Sequence, residues 1–286
     1  MKKTIGYIFW GIEKGLDKSA FEKIAKKKNI EIVTFNLSDT LNEEEIEEKA
    51  KKCDIIFNNS GEDFAIELVK TLEKLGKKVV ESSETYYYSE DKWMFYLTCK
   101  KNNIPTPESI LLSESLDLAS EELKKFACWP VILKRIEGTG GDFVEKADNL
   151  KESIKIIKEF WKKGSERLPI IAQEFVPSPS YRMTVVGDEI AQTAIKESTG
   201  WKHTGVSSER FRKFKVDDDL KKITKKIIEV TEMKICGIDF LKKDEKWLAL
   251  EINSSPGFGF FDNHRDELVE KILNFLVNLV NKKINK

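Results

Sequence analysis

An α/β fold in two parts, a parallel-sheet domain followed by a larger α+β region, is predicted by three features of this chain. Short apolar runs alternate with amphipathic helical stretches over roughly the first ninety residues, the rhythm of parallel strands joined by crossover helices. The segment Asn103-Ile104-Pro105-Thr106-Pro107 then interrupts the chain, because the two prolines remove donors and disfavour helix before them. Beyond it the strands come in pairs across turns, as in antiparallel hairpins.

In order, residues 4–10, 30–35, 53–59 and 77–82 read as strands, and the stretches between them as helices whose Lys and Glu face solvent, Asn42 to Lys52 among them. The turns Gly11 to Gly15 and Asn58 to Gly61 fall at the carboxyl ends of strands, where open α/β sheets bind ligands. Gly11 and Gly15 do not make a dinucleotide fingerprint. A helix from about Ser89 to Asn102 follows, then a strand around Ile110 to Leu112, a helix near Ser120 to Phe126 and the strand Pro130 to Lys134. Phe143 to Lys146 returns as a strand, Asn149 to Lys163 as a helix and Pro169 to Val176 as another strand. Tyr181 to Val186 and Glu189 to Glu197 form a hairpin about Gly187-Asp188. Lys215 to Glu232 is helical, Cys236 to Lys242 and Lys246 to Asn253 are strands, and apolar residues from Leu268 to Leu279 recur at helical spacing. The expected domains are 1–88 and 89–286, the second divided into lobes of about 105–172 and 173–286.

Composition narrows the function classes. Lys plus Arg and Asp plus Glu are equal at 49 each, so no global field draws the chain to nucleic acid or an anionic membrane. Cys53, Cys99, Cys128 and Cys236 stand far apart and share no metal-ligand spacing with His203 or His264, which reads as isolated, mostly buried thiols in a reduced setting. The basic start lacks a signal-peptide core and cleavage site, and no run approaches the ~20 apolar residues of a membrane span. A cytoplasmic protein is expected.

Three segments carry the chemistry. In Trp247 to Gly257, Glu251 and Asn253 project from one face of a strand, and Asp239 on a neighbouring antiparallel strand can join them. An Asp, a Glu and an Asn make a hard oxygen site suited to Mg²⁺ completed by phosphate oxygens. The plain alternative is a hairpin with solvent-facing acids, against which stand the apolar neighbours Leu250 and Ile252. Second, the strand Pro130 to Lys134 opens into Gly138-Thr139-Gly140-Gly141, where backbone N–H groups can close on phosphate and Lys134 adds a point charge. A simple turn would read the same way, and the lysine precedes the glycines, which excludes a Walker loop. Third, Gln173-Glu174-Phe175-Val176 ends a strand at Pro177 and could serve as a hinge whose backbone reads an adenine edge.

Together with Asp91-Lys92-Trp93, these segments resemble the ATP-grasp superfamily, in particular its RimK-like carboxylate–amine ligases, from about Ser89 to the C-terminus. The resemblance implies two α+β subdomains clasping ATP, a small lid and a large metal-binding one, after a pre-ATP-grasp α/β domain. It implies phosphate contacts from Lys92 and Lys134, a mobile loop at Gly138, Thr139, Gly140 and Gly141, and an adenine hinge at Gln173, Glu174, Phe175 and Val176. Asp239, Glu251 and Asn253 would hold Mg²⁺, with Mn²⁺ as a substitute. Arg182 matches the family's arginine that faces the substrate, and Lys196 falls near a second basic position of the family; both suit an anionic acyl phosphate, and by residue type alone both could be surface charges. The chain departs from the pattern at Ser180, where an acid is usual, and at Trp201-Lys202-His203-Thr204, which lacks the usual asparagine.

The implied reaction is ADP-forming ligation, through an acyl phosphate, of a small-molecule carboxylate to an amine or thiol, or of a peptide or protein, with no nucleic-acid or membrane partner. No Ser/His/Asp or Cys/His set argues for a protein nucleophile. A peptide-modifying ligase, a kinase of the same fold and a non-catalytic nucleotide-binding regulator remain as rivals, and homo-oligomerisation is left open.

Overall fold

The computed structural model describes residues 2–11, 16–138, 141–163, 169–198, 200–202 and 210–284. The turn at 12–15, Thr139, Gly140, His203 and Thr204 lie outside the described residues.

The first sheet is parallel throughout, in the order β2-β1-β3-β4, from β1 (Lys3–Phe9), β2 (Ile30–Asn36), β3 (Ile55–Asn58) and β4 (Val79–Val80). The helices α1 (Leu16–Lys27), α2 (Glu43–Lys52) and α3 (Asp63–Lys74) connect its strands. Asn42 and Glu45 form a reciprocal capping box on α2, whose first turn is acidic and last turn basic, so both dipole ends are matched. One face of the sheet is buried under α1 and under α9 (Arg265–Ile284), which brings Leu268, Ile272 and Leu276 against Ile5, Tyr7 and Phe21. The chain thus closes over its own first sheet.

The helix that the sequence predicts from about Ser89 to Asn102 is α5 (Lys92–Lys101), and a separate helix, α4 (Ser83–Glu90), stands before it. Asp91 separates them, because its backbone is extended and its carboxylate accepts from the N–H groups of Trp93 and Met94 as the cap of α5. Ser82 caps α4 in the same way.

The second sheet runs β5-β8-β6-β7, from β5 (Ser109–Leu111), β6 (Val131–Arg135), β7 (Val144–Ala147) and β8 (Ile170–Glu174), all antiparallel. Helices α6 (Leu116–Phe126) and α7 (Leu150–Lys162) cover it, burying Leu123, Ile157 and Phe160. The third sheet is β11-β10-β9-β12-β13, again antiparallel, from β9 (Ser180–Val186), β10 (Glu189–Glu197), β11 (Arg210–Arg212), β12 (Ile235–Lys243) and β13 (Lys246–Asn253). Its apolar face takes α8 (Asp218–Thr231) and α5, with Met183, Ile238, Phe240 and Ile252 packed on Phe95, Leu220 and Ile227. The other face is polar and forms the site. β11 has no counterpart in the sequence reading; three residues are too few for a period of two to show.

Glu81, just after β4, is buried and fastens the first sheet to the third. Its Oε1 accepts the N–H of Lys234 at 2.8 Å and of Ile235 at 2.7 Å, where β12 begins. Burial lifts its pKa to about 7 against the opposing pull of those N–H groups. Between its ordinary value of 4.5 and about 7 the folded chain keeps a proton that the unfolded chain has lost. Stability therefore falls as pH rises through that window and is level above it. Gln retains the oxygen that takes both bonds, so Glu81→Gln is expected to match the parent near pH 4 and to exceed it by about 2–3 kcal/mol near pH 8. Thermal or denaturant unfolding across that range measures the difference.

Candidate active site

Strand register lays out the polar face of the third sheet as a grid. Along β9, Tyr181, Met183 and Val185 turn to the core, which sends Ser180, Arg182 and Thr184 to the other face. Arg182 lies opposite Asp239 on β12, and Asp239 opposite Glu251 on β13, so three charged side chains share one row. One step along, Ser180 faces Lys196 on β10; one step the other way, Gly237 faces Asn253.

Asp239, Arg182 and Lys196 form a buried cluster. Arg182 Nε donates to Asp239 Oδ1 at 2.5 Å and Nη2 to Oδ2 at 2.8 Å, while Lys196 Nζ donates to Oδ2 at 2.6 Å. Burial alone would raise the Asp239 pKa, but Arg182 and then Lys196 overcome it and hold the carboxyl well below the usual carboxylate range. Burial pulls Lys196 down from the ordinary lysine value, and Asp239 opposes that shift.

Glu251 differs. It is half-buried and its carboxylate accepts no hydrogen bond among the described residues, although its charge is felt by Lys134, Arg182 and Lys196. Asn253 donates Nδ2 to the Gly237 carbonyl at 3.4 Å, which leaves Oδ1 as its free acceptor. Among the described residues no three His, Cys, Asp or Glu side chains gather as a metal site. The set is instead one free carboxylate, one amide oxygen and Asp239. Oxygen donors short of a full shell fit a Mg²⁺ ion that draws its remaining ligands from phosphate and water.

The facing wall comes from the second sheet. Lys134 on β6 is buried, and its Nζ donates to Gln173 Oε1 at 2.9 Å, whose Nε2 donates in turn to Ser109 Oγ at 2.9 Å. Burial lowers the Lys134 pKa to about 8; Glu251 across the cleft opposes the drop and Lys92 adds to it. The Gln173 side chain thus holds the lysine. The Phe175 N–H donates to the Pro130 carbonyl at 3.3 Å, but among the described residues the backbone of Val176 makes no hydrogen bond. Those free groups suit the edge of a base.

The glycine-rich loop is gripped from two sides. Lys92, at the start of α5, donates Nζ to the Gly138 carbonyl at 2.8 Å, and Lys202 donates to the Gly141 carbonyl at 3.0 Å. Gly138 and Gly141 have φ of +127° and +82°, a region that a side chain would strain.

All the expected site residues that the structure describes line one cleft of about 320 Å³: Lys92, Lys134, Gly138, Gly141, Gln173, Glu174, Phe175, Val176, Arg182, Lys196, Asp239, Glu251 and Asn253. Thr139 and Gly140 lie outside the described residues. Glu174 is paired at the rim with Lys243. The sequence gives no role to Ile132, Val144, Leu241 and Leu250, apolar residues of both sheets that also line the cleft, nor to Ser89 and Glu90. Ser180 was singled out only as a departure, yet its place two residues before Arg182 on a strand already puts it on the same face.

Two sheets facing across cations and oxygen donors, with a glycine loop at the mouth, define an ATP-grasp ligase. The chain belongs to the RimK-like ATP-grasp family, whose model matches residues 89–276. It is 28% identical over 194 residues to an α-aminoadipate–LysW ligase (LysX) of Saccharolobus solfataricus, covering 65% of this chain and 69% of that one. It is 27% identical over 201 residues to a coenzyme γ-F420-2:α-L-glutamate ligase of Methanococcus maripaludis, covering 68% of each. The crystal structure of a RimK-domain ATP-grasp protein from Sphaerobacter thermophilus superposes with a TM-score of 0.78 at 14% identity, over 96% of this chain and 99% of that one.

The two acids of the grid should separate in a stability assay. Asp239→Asn leaves two buried cations without a countercharge and is expected to cost about 3–5 kcal/mol, whereas Glu251→Gln breaks no hydrogen bond and should cost under about 0.5 kcal/mol. Thermal unfolding compares them. Because Lys134 titrates near pH 8, ADP affinity is expected to fall about tenfold between pH 7 and pH 9, and Lys134→Met should flatten that dependence in calorimetric titrations.

Proposed function

We propose that this protein joins a carboxylic acid to an amine with Mg²⁺ and ATP, releasing ADP and phosphate through an acyl phosphate of the substrate. The observation that carries this reading is the opposition, across one cleft, of two phosphate-type cations, Lys134 on the second sheet and Lys92 at the start of α5, and the oxygen donors on the third sheet. Bound ATP would supply the phosphoryl group, and Mg²⁺ would neutralise charge on the phosphate oxygens.

The chain's own residues bind and orient. Lys92 and Lys134 pair with the nucleotide phosphates under the 138–141 loop, and the backbone at Val176 reads the base held between Ile132, Val144, Leu241 and Leu250. Asp239, Glu251 and Asn253 hold the metal. Arg182 and Lys196, fixed on Asp239 in the cleft wall, present positive charge to the acid, to its acyl phosphate and to the tetrahedral intermediate, which is where preorganised charge lowers the barrier. The acid oxygen takes the phosphoryl group and ADP departs. The amine nitrogen then bonds to the acyl carbon, the carbon–oxygen bond to phosphate breaks, and the amine proton passes to solvent.

The names of the two ligase relatives favour an amino acid, glutamate or α-aminoadipate, as one substrate. A cytoplasmic setting fits a reaction fed by ATP, and among the described residues no helix is long and apolar enough to cross a membrane.

ADP release is the direct test, measured with Mg²⁺ and ATP across acids paired with amines, glutamate, α-aminoadipate and short acidic peptides included. Release is expected only when both an acid and an amine are present, and to vanish in Asp239→Ala and Glu251→Ala. A lysine about 4 Å from a phosphate charge contributes about 4 kcal/mol at an effective dielectric of 20, so Lys134→Ala should slow turnover about a thousandfold. Release that needs only a hydroxyl compound and leaves it phosphorylated would make the protein a kinase and sink the ligase reading.

A further inference from the structure

Arg182 is held in more than its bond to Asp239. Directly beneath it on β12 is Gly237, and a Cβ placed there would stand 2.2 Å from Arg182 Nη1 and 2.9 Å from its Cδ and Cζ. The guanidinium occupies that space, and a Cβ there would force it to move. Gly237 is not in the left-handed region, so backbone conformation does not explain the glycine. Above the guanidinium lies the ring of Phe260, with Cζ 5.7 Å from the ring centroid, a cation–π distance. Phe260 is brought there by the turn after β13. Gly257 has φ of +84°, and a Cβ on it would lie 2.5 Å from the Phe260 ring. Thr184, on the same face of β9, donates Oγ1 to the Pro256 carbonyl at 3.0 Å and ties this turn to the sheet. On its outer side the Phe260 ring packs on Phe211 of β11 at 5.0 Å.

We infer that Gly237 and Phe260 are positioning residues of this enzyme: a glycine floor and an aromatic roof that keep the Arg182 guanidinium flat over β12, in the one orientation that engages both Asp239 oxygens and faces substrate. Neither residue lines the cleft, and neither offers a group that could react. Their contribution to turnover passes through Arg182. A guanidinium freed from this slot keeps its charge but loses the fixed direction on which preorganised stabilisation of an anion depends. The inference rests on the proposed role of Arg182 for its effect on turnover, but the cage itself can be read without substrate.

The test labels arginine with ¹⁵N and follows hydrogen exchange at the Arg182 Nε–H, assigned by its loss in Arg182→Ala. In the parent protein, buried and bonded to Asp239, it should exchange slowly. Gly237→Ala and Phe260→Ala should each speed it by about tenfold or more, with thermal midpoints recorded alongside. Phe260 sits half-buried on a short surface turn, so Phe260→Ala remains foldable even if Gly237→Ala does not, and Phe260→Tyr, which keeps the ring, should restore slow exchange. ADP release, with an acid–amine pair that supports it in the parent protein, should drop in both variants, and either change added to Arg182→Ala should bring no further loss. Unchanged Nε–H exchange in folded Phe260→Ala and Gly237→Ala would overturn the cage. A further loss on top of Arg182→Ala would overturn the claim that these residues act through it. If Arg182→Ala itself left ADP release untouched while the exchange behaved as described, the cage would stand and the assigned role of Arg182 would fall.

Discussion

Asp239 is the point on which the molecule turns, because a single buried carboxylate holds two buried cations. Taking an ion out of water costs several kcal/mol, and a buried pair recovers that only when the geometry is good and spare lone pairs and protons are used. Here both oxygens of Asp239 accept, Arg182 approaches with two parallel N–H groups and Lys196 completes the set. The arrangement exists only in one register of β9 against β12. A slip of one residue would turn Arg182 into the core occupied by Met183 and Val185. Core packing on one face of the sheet and charge pairing on the other therefore select the same alignment.

From that cluster the site extends outward in steps of decreasing constraint. Glu251 shares the row but is left without hydrogen bonds among the described residues, and Asn253 has one long bond. With the acceptor site that its donors leave on Asp239 Oδ1, they are the oxygens available to something that binds. Across the cleft Lys134 is buried and fastened through Gln173 to Ser109, while Lys92 and Lys202 rest on carbonyls of the glycine loop. Carbonyl contacts of this kind are easily exchanged for phosphate, since an ammonium gains more from an anion than from a neutral acceptor. Rigid charges lie at the base of the cleft and exchangeable ones at its mouth. That division suits a site that must close on a polyanion and later release it.

The three sheets are joined at few but specific places. Helix α9 packs on the first sheet and contributes Leu268 and Ile272 to a core that also includes Val186 and Ile235 of the third. Glu81 reaches from the end of β4 to the first N–H groups of β12, the strand that carries Gly237 and Asp239. The first sheet thus bears on the position of the polar grid without supplying any of its described charges.

Local rules in the sequence determined a good deal. A period of two sets Glu251 beside Asn253 and Ser180 beside Arg182 on shared faces, the prolines after Asn103 stop a helix, and a buried-looking strand delivers Lys134 to a glycine-rich turn; each follows from spacing over a few residues, and the structure agrees. What it left open depends on distant partners. Alternation alone would send Leu250 away from the cleft, but a bulge between Asp239 and Phe240 on one strand and Ala249 and Glu251 on the other lets Leu250 and Glu251 both line it. Asp91 reads as the first turn of a helix from about Ser89 and is instead the cap of α5; the Gln173 side chain meets Lys134 because β8 pairs with β6. That Arg182 lies over Gly237 needs two strands 55 residues apart in register. Periodicity decides which face a side chain takes, but only tertiary pairing decides what meets it there.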